Sequence, residues 1–216
     1  MRSPLKALST IVLAVLAAQA AGLQLTLDLS GRELRFSKST QYDFVVLEGA
    51  AMTTEVGAPA LPALAVNVVV PQGMRVTGAA CSPARTDDVA GSFLILPSQP
   101  PRTLSDTGRV EFVTPDPRVY GSTAPYPPEL VRVAGQNSMQ GYNLASLLVY
   151  PLQYSPEQKT LKLHSKLLLD LSLQTADLGY LPVGKRSEAR RAAVEDDVRS
   201  VVVNPDDVSR FAPTAN

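Results

Sequence analysis

Leu161-Lys162-Leu163-His164-Ser165-Lys166-Leu167-Leu168-Leu169-Asp170-Leu171-Ser172-Leu173 is the stretch whose pattern decides the fold class. Leu161, Leu163, Leu167, Leu169, Leu171 and Leu173 share one parity, and Lys162, His164, Lys166, Asp170 and Ser172 take the other. Successive side chains of an extended backbone point to opposite faces. The stretch is therefore a long strand or hairpin, with one face on a core and one toward water.

Working outward, Leu23 to Leu29 alternates in the same way and Ser30-Gly31 turns the chain. Tyr42 to Leu47, Ala65 to Val70 and Tyr142 to Tyr150 read as further strands; another starts at Arg75-Val76-Thr77, and Phe93 to Leu96 reads as one more. Gly57 to Pro62 is a rigid segment leading into the Ala65 strand, which Pro71-Gln72-Gly73 stops. Pro97, Pro100, Pro101, Pro115, Pro117, Pro125, Pro127 and Pro128 exclude a helix over 97–128. A long polyproline-like excursion is expected there, with a short strand around Val110 to Val113. Pro151 and Pro156 bracket a loop from which Tyr154 can pack back onto the sheet. Toward the end, Ser187 is an N-cap, and Val194, Val198, Val201 and Val202 form one face of a helix that stops before Pro205. With few large apolar residues, that helix is expected to dock weakly, and Pro205 to Asn216 reads as linker. The fold class is all-β: an antiparallel β-sandwich with a C-terminal helix and a linker tail.

The first residues pair a basic start, Arg2 and Lys6, with the apolar run Ala7 to Ala18 and the small residues of Ala18-Gln19-Ala20. This is the pattern of a signal peptide over residues 1–20, cut after Ala20 or Gly22, and the expected location is secreted or periplasmic. The run is too short to cross ~30 Å of hydrocarbon, so no stable membrane anchor is expected. Removing residues 1–20 takes away Arg2 and Lys6, leaving 18 bases against 20 acids. A near-neutral chain has no electrostatic footprint for nucleic acid. The lone Cys81 forms no internal disulfide, so the fold rests on packing.

One cysteine and one histidine are the minimum for a nucleophilic pair, with His164 activating Cys81. Against that, His164 falls on the polar parity with nothing placed to orient it, and no helix N-terminus serves Cys81. Asp87-Asp88 and Asp196-Asp197 are isolated pairs that read as solvated charges, so neither a metal site nor a cofactor is expected. The inventory does not make an enzyme.

Two segments carry more than composition. The first is Val56-Gly57-Ala58-Pro59-Ala60-Leu61-Pro62, followed by Val68-Val69-Val70-Pro71-Gln72-Gly73. The second runs Tyr126-Pro127-Pro128, Gly141-Tyr142-Asn143, Leu148-Val149-Tyr150-Pro151-Leu152-Gln153-Tyr154-Ser155-Pro156 and Leu161-Lys162-Leu163-His164. In order and spacing, from Gly57 to Leu173, this set resembles the propeptide of the gingipain-type cysteine peptidases. The resemblance implies a domain N-terminal to a caspase-like catalytic domain that assists its folding and blocks its cleft until cut away.

The implied partner is a cognate cysteine peptidase catalytic domain, bound in cis or in trans. On this division residues 1–20 are the signal peptide, 22–183 the propeptide-like sandwich, and 184–216 a helical tail leading toward a catalytic domain that the sequence does not contain. In arginine-specific members of the family a basic loop residue fills the specificity pocket. Arg102, Arg109, Arg118 and Arg132 are the candidates for that role here, although ordinary surface arginines would look the same. Family members often carry a basic residue just before the glycine of Gly-Tyr-Asn, where this chain has Gln140. Lys185-Arg186 and Arg190-Arg191 make Arg186 and Arg191 candidate processing sites, with solvated tail charges as the plainer reading. The alternative function is a free-standing exported β-sandwich that binds another protein or serves as a structural module.

Overall fold

In the computed structural model, which describes residues 21–101, 108, 111–180 and 183–214, the leucine-alternating stretch is one strand of 16 residues. In chain order the elements are β1 (Ala21–Asp28), β2 (Leu34–Lys38), β3 (Asp43–Leu47), β4 (Ala51–Met52), β5 (Pro62–Val70), β6 (Met74–Val89), α1 (Pro117–Tyr120), β7 (Val131–Met139), β8 (Tyr142–Val149), β9 (Leu152–Ser155), β10 (Thr160–Thr175) and α2 (Glu188–Val201). A single 3-10 turn, Pro205–Asp207, follows.

β10 is the spine of the first sheet, and every pairing along it is antiparallel. β6 runs along one edge, while β1 pairs with residues 166–173 and β9 with residues 160–163. The second sheet has the order β4-β5-β8-β7, also antiparallel, and β2-β3 is a separate two-stranded ribbon. Leu167, Leu169, Leu171 and Leu173 of β10 join Leu23 and Leu27 of β1 and Leu64, Val66, Val68 and Leu147 of the second sheet in one buried core. A second core gathers Val45, Leu61, Phe93, Ile95, Leu152, Tyr154 and Leu161 under the ribbon.

Several expectations are corrected. Phe93 to Leu96 is not a strand: Ile95 makes only an isolated bridge to Asp43, although Phe93 and Ile95 are buried. Residues 111–113 form no strand either, and Val110 lies outside the described residues. The proline-rich segment does hold one helical turn, α1. Pro117 sits at its first turn, where the missing N–H costs nothing, and the Asp116 side chain caps it by accepting from the Arg118 N–H. Pro151 and Pro156 bracket a short strand, β9, and Tyr154 packs inward as expected, its hydroxyl donating to the Phe93 carbonyl.

The tail is the largest correction. Ser187 does cap α2, accepting from the Arg190 N–H. Val194, Val198 and Val202 are buried, and Val201 is exposed. The expected linker is part of the core, since Val208 and Phe211 are buried with them. A strand with one wet face alternates, yet Val68, Val69 and Val70 are all buried, as are Tyr142 to Ala145. That end of the second sheet is covered on both faces, and α2 with the residues after it supplies the second cover. Beyond β4, the open edge of β5 is closed by the tail too. The Val203 N–H donates to the Asn67 carbonyl, and the buried Asn204 amide both accepts from the Val69 N–H and donates to the Val69 carbonyl.

Candidate functional site

Cys81 and His164 do not form a nucleophilic pair. The His164 ring is buried, contrary to the polar-face expectation, because β10 shifts register between Leu163 and Lys166. Its Nε2 faces the Gln153 side-chain oxygen, Oε1, at 3.0 Å and its Nδ1 the Thr86 hydroxyl at 2.8 Å. Gln153 donates its amide N–H to the Pro127 carbonyl, which fixes its oxygen toward the ring. That oxygen can only accept, so Nε2 carries a proton, while at Nδ1 the Thr86 hydroxyl donates to the neutral ring and would have to accept from the charged one. Burial first, and Lys162 second, hold its pKa below the usual value. Burial pushes the Cys81 thiol up to about 11, the reverse of an activated nucleophile.

The candidate blocking arginines are not brought together. Arg102 and Arg109 lie outside the described residues. Arg118 stands on α1 with its side chain 90% exposed, its guanidinium 2.7 Å from the Asp116 carboxylate. That pair holds Asp116 below the usual carboxylate range. α1 is itself pinned: the Asp116 N–H donates to the Gly57 carbonyl, and the Tyr120 hydroxyl donates to the Ile95 carbonyl. Arg132 lies on β7 beside a groove floored by Ala63, Ala65 and Leu148 and walled by Tyr126 and Pro127. Tyr126 closes one end by donating to the Glu55 carboxylate at 2.9 Å.

The β7-β8 hairpin turn is more elaborately held than either arginine. Gln140 has φ 51 and Gly141 φ 86. The Gln140 carbonyl accepts from the Arg186 guanidinium at 3.0 Å, and its side-chain oxygen accepts from Arg190 at 3.3 Å. Its amide N–H donates to Asp197 on α2 at 3.1 Å. From the other side, Gln72 donates to the Gly141 carbonyl and to the Phe211 carbonyl. A Cβ on Gly141 would collide with the Val183 side chain, so glycine is required both by φ and by the close approach of the 183–187 strap. Of the two candidate processing residues, Arg186 is thus tied down. Arg191 is an exposed residue inside α2 whose N–H donates to the Ser187 carbonyl. Strap, helix and tail enclose a pocket of ≈ 240 Å³, bounded by Tyr142, Arg186, Val194 and Pro213.

Sequence reasoning singled out Gln140 only for lacking a charge. Its clamp depends on residues 46 to 57 positions away, which no local pattern signals. The same holds for Asn143 of the Gly-Tyr-Asn motif. It is fully buried, donates to the Pro71 and Met74 carbonyls, and accepts from Gln136. Gln136 in turn accepts from the Val76 N–H, so this cluster joins the second sheet to β6 of the first.

Over 147 residues, 65% of this chain, the sequence is 30% identical to Lys-gingipain of Porphyromonas gingivalis. It is 28% identical to Lys-gingipain HG66 of the same organism over 146 residues. The matched part is 8% of the length of these relatives. Among solved structures, a chain of the complex of Porphyromonas gingivalis RgpB pro- and mature domains superposes with a TM-score of 0.60. That match covers 88% of this chain and 96% of the other at 16% identity, a likeness of fold. A chain from the structure bearing on zymogenic latency of gingipain K, also from Porphyromonas gingivalis, gives a TM-score of 0.51 at 26% identity, covering 74% and 90%. Residues 29–204 match the Propeptide_C25 family, from the end of β1 to the asparagine that seals β5. This chain belongs to that family, the propeptides of gingipain-type cysteine peptidases.

Proposed function

We propose that this chain is exported and acts as folding assistant and latency inhibitor of a gingipain-like cysteine endopeptidase, without catalytic activity of its own. The observation that carries the reading is the family match across residues 29–204, which takes in every strand after β1 and the docked helix. A neutral, doubly bonded His164 and a thiol raised by burial support the non-catalytic part. The catalytic domain would be held in cis or in trans, its cleft filled by a basic residue.

Arg118 is the better of the two described candidates. It projects almost fully exposed from a capped turn that Gly57 and Ile95 anchor, whereas Arg132 lies along a sheet. A guanidinium on a rigid support gives up little conformational freedom when it meets a carboxylate in a specificity pocket.

The test is titration of the purified chain against the catalytic domain of Lys-gingipain, followed by residual peptidase activity. Stoichiometric inhibition is expected. A folded chain that leaves activity untouched at micromolar concentration would sink the inhibitor role and favour the free-standing binding module.

A further inference from the structure

The 183–187 strap before α2 carries a single unengaged lysine, next to two arginines that are engaged. Lys185 is exposed, belongs to no helix or strand, and follows Gly184. Among the described residues its ammonium makes no ion pair. Arg186 and Arg190 are both spent on Gln140. To become the residue recognised by a peptidase, either would have to abandon the hairpin, and Arg190 and Arg191 would also have to leave the helix. Peptidases take their substrate as an extended segment with its backbone free to pair, so helix and ladder bonds resist cleavage.

The other lysines of the described residues are poorly placed. Lys38 ends β2 and pairs with Asp43. Lys162 and Lys166 are in the central strand, and the Lys159 carbonyl is held by the Phe93 N–H at the β9-β10 turn.

What lies beyond the strap does not depend on it for attachment. Val194, Val198, Val202, Val208 and Phe211 are buried in the main core. Asn204 is bonded to β5, and Gln140 to Asp197, by contacts that a break before Arg186 leaves intact.

We propose that the Lys185–Arg186 bond is a nicking site for a peptidase that accepts lysine, and that the nick leaves α2 and the residues after it docked. Water adds across the amide, leaving a carboxylate on Lys185 and an amine on Arg186. No oxidant or cofactor takes part. For a latency propeptide the consequence is regulatory: the first cut in the strap does not dismantle the domain, and release needs a second event. Only that consequence rests on the propeptide reading; the site and its retention do not.

The experiment uses an unrelated lysine-specific endopeptidase at low ratio on the purified full chain, with fragments weighed by mass spectrometry and run by native size exclusion. Within residues 21–214 the expected result is one early cut, after Lys185, with both fragments in a single peak at the intact position. Lys185→Gln should slow the nick at least tenfold. Earlier cutting at Lys38, Lys159, Lys162 or Lys166, or no cut at all, overturns the site. A separately eluting tail fragment overturns the docking. Because the probe is not the cognate enzyme, failure here counts against this site alone, whereas failed inhibition counts against the propeptide reading.

Discussion

His164 shows how one buried residue ties stability to pH. A protonated ring needs acceptors at both nitrogens. Gln153 already accepts at Nε2, but Thr86 donates to Nδ1 and would have to turn, leaving its own proton without that partner. The charged groups around the site give no relief. Lys162 on the same strand repels the imidazolium, Arg85 and Asp87 of β6 pair with each other while Asp87 also accepts from the Ser165 hydroxyl, and β9 contributes only the neutral Gln153. The folded-state pKa therefore lies below the unfolded value of about 6.5. The unfolded chain binds the proton more readily, so stability is full above that value and falls as the pH drops through the folded pKa. Carboxylates held low by their partners, such as Asp87 and Asp116, lose their contribution only at more acid pH. We expect the urea midpoint to drop between pH 7.5 and pH 5 and His164→Gln to remove most of that drop. An unchanged pH dependence in the variant would show that another group is responsible.

At the scale of elements, α2 belongs to the sandwich. Val198 is fully buried against the second sheet, while Val201, three residues on, is 41% exposed. Val198→Ala should cost about 2 kcal/mol in urea unfolding, from lost burial plus the cavity left behind. Val201→Ala should stay within about 0.5 kcal/mol. Equal, small effects would mean that the helix is only loosely attached. The helix was legible from its N-cap and valine spacing; its docking was not, because the surface it covers is the far side of a sheet built from distant residues. The alternating leucines made β10 and β1 equally plain. β6 was legible only at its start: it is polar and contains Pro83, tolerable because β6 is an edge strand. β7 was hidden by a register shift between Val133 and Gly135 that breaks its alternation. Phe93 to Leu96 misled in the opposite sense, since an apolar run is compatible with burial in either a strand or a packed loop. The Gly57 to Pro62 motif was visible as rigid sequence, but its use as the anchor for α1 depends on Asp116, far along the chain.

For the whole molecule, the proposed latency would have to come from shape and local charge rather than from a general field, because acids and bases balance. Arg118 meets that requirement only by exchanging Asp116 for a carboxylate of the peptidase. The exchange is favourable where the cleft is drier than the surface it leaves, since a paired charge gains strength as water is excluded. The Arg118 side chain is 90% exposed, so water screens the pair and removing the guanidinium should move the urea midpoint only slightly. Arg118→Ala is therefore expected to weaken inhibition of the catalytic domain at least tenfold without destabilising the propeptide, and Arg118→Lys to recover part of the loss wherever the cleft also accepts an ammonium. Arg132→Ala, on the sheet face, should change inhibition less than threefold. The reverse ranking would move the contact to the groove between Tyr126 and Leu148 and put the second sheet, rather than the turn at Asp116, against the enzyme. If neither substitution matters while the chain still inhibits, Arg118 and Arg132 are both excluded, and Arg102 and Arg109 are the next candidates to replace, by the same inhibition measurement.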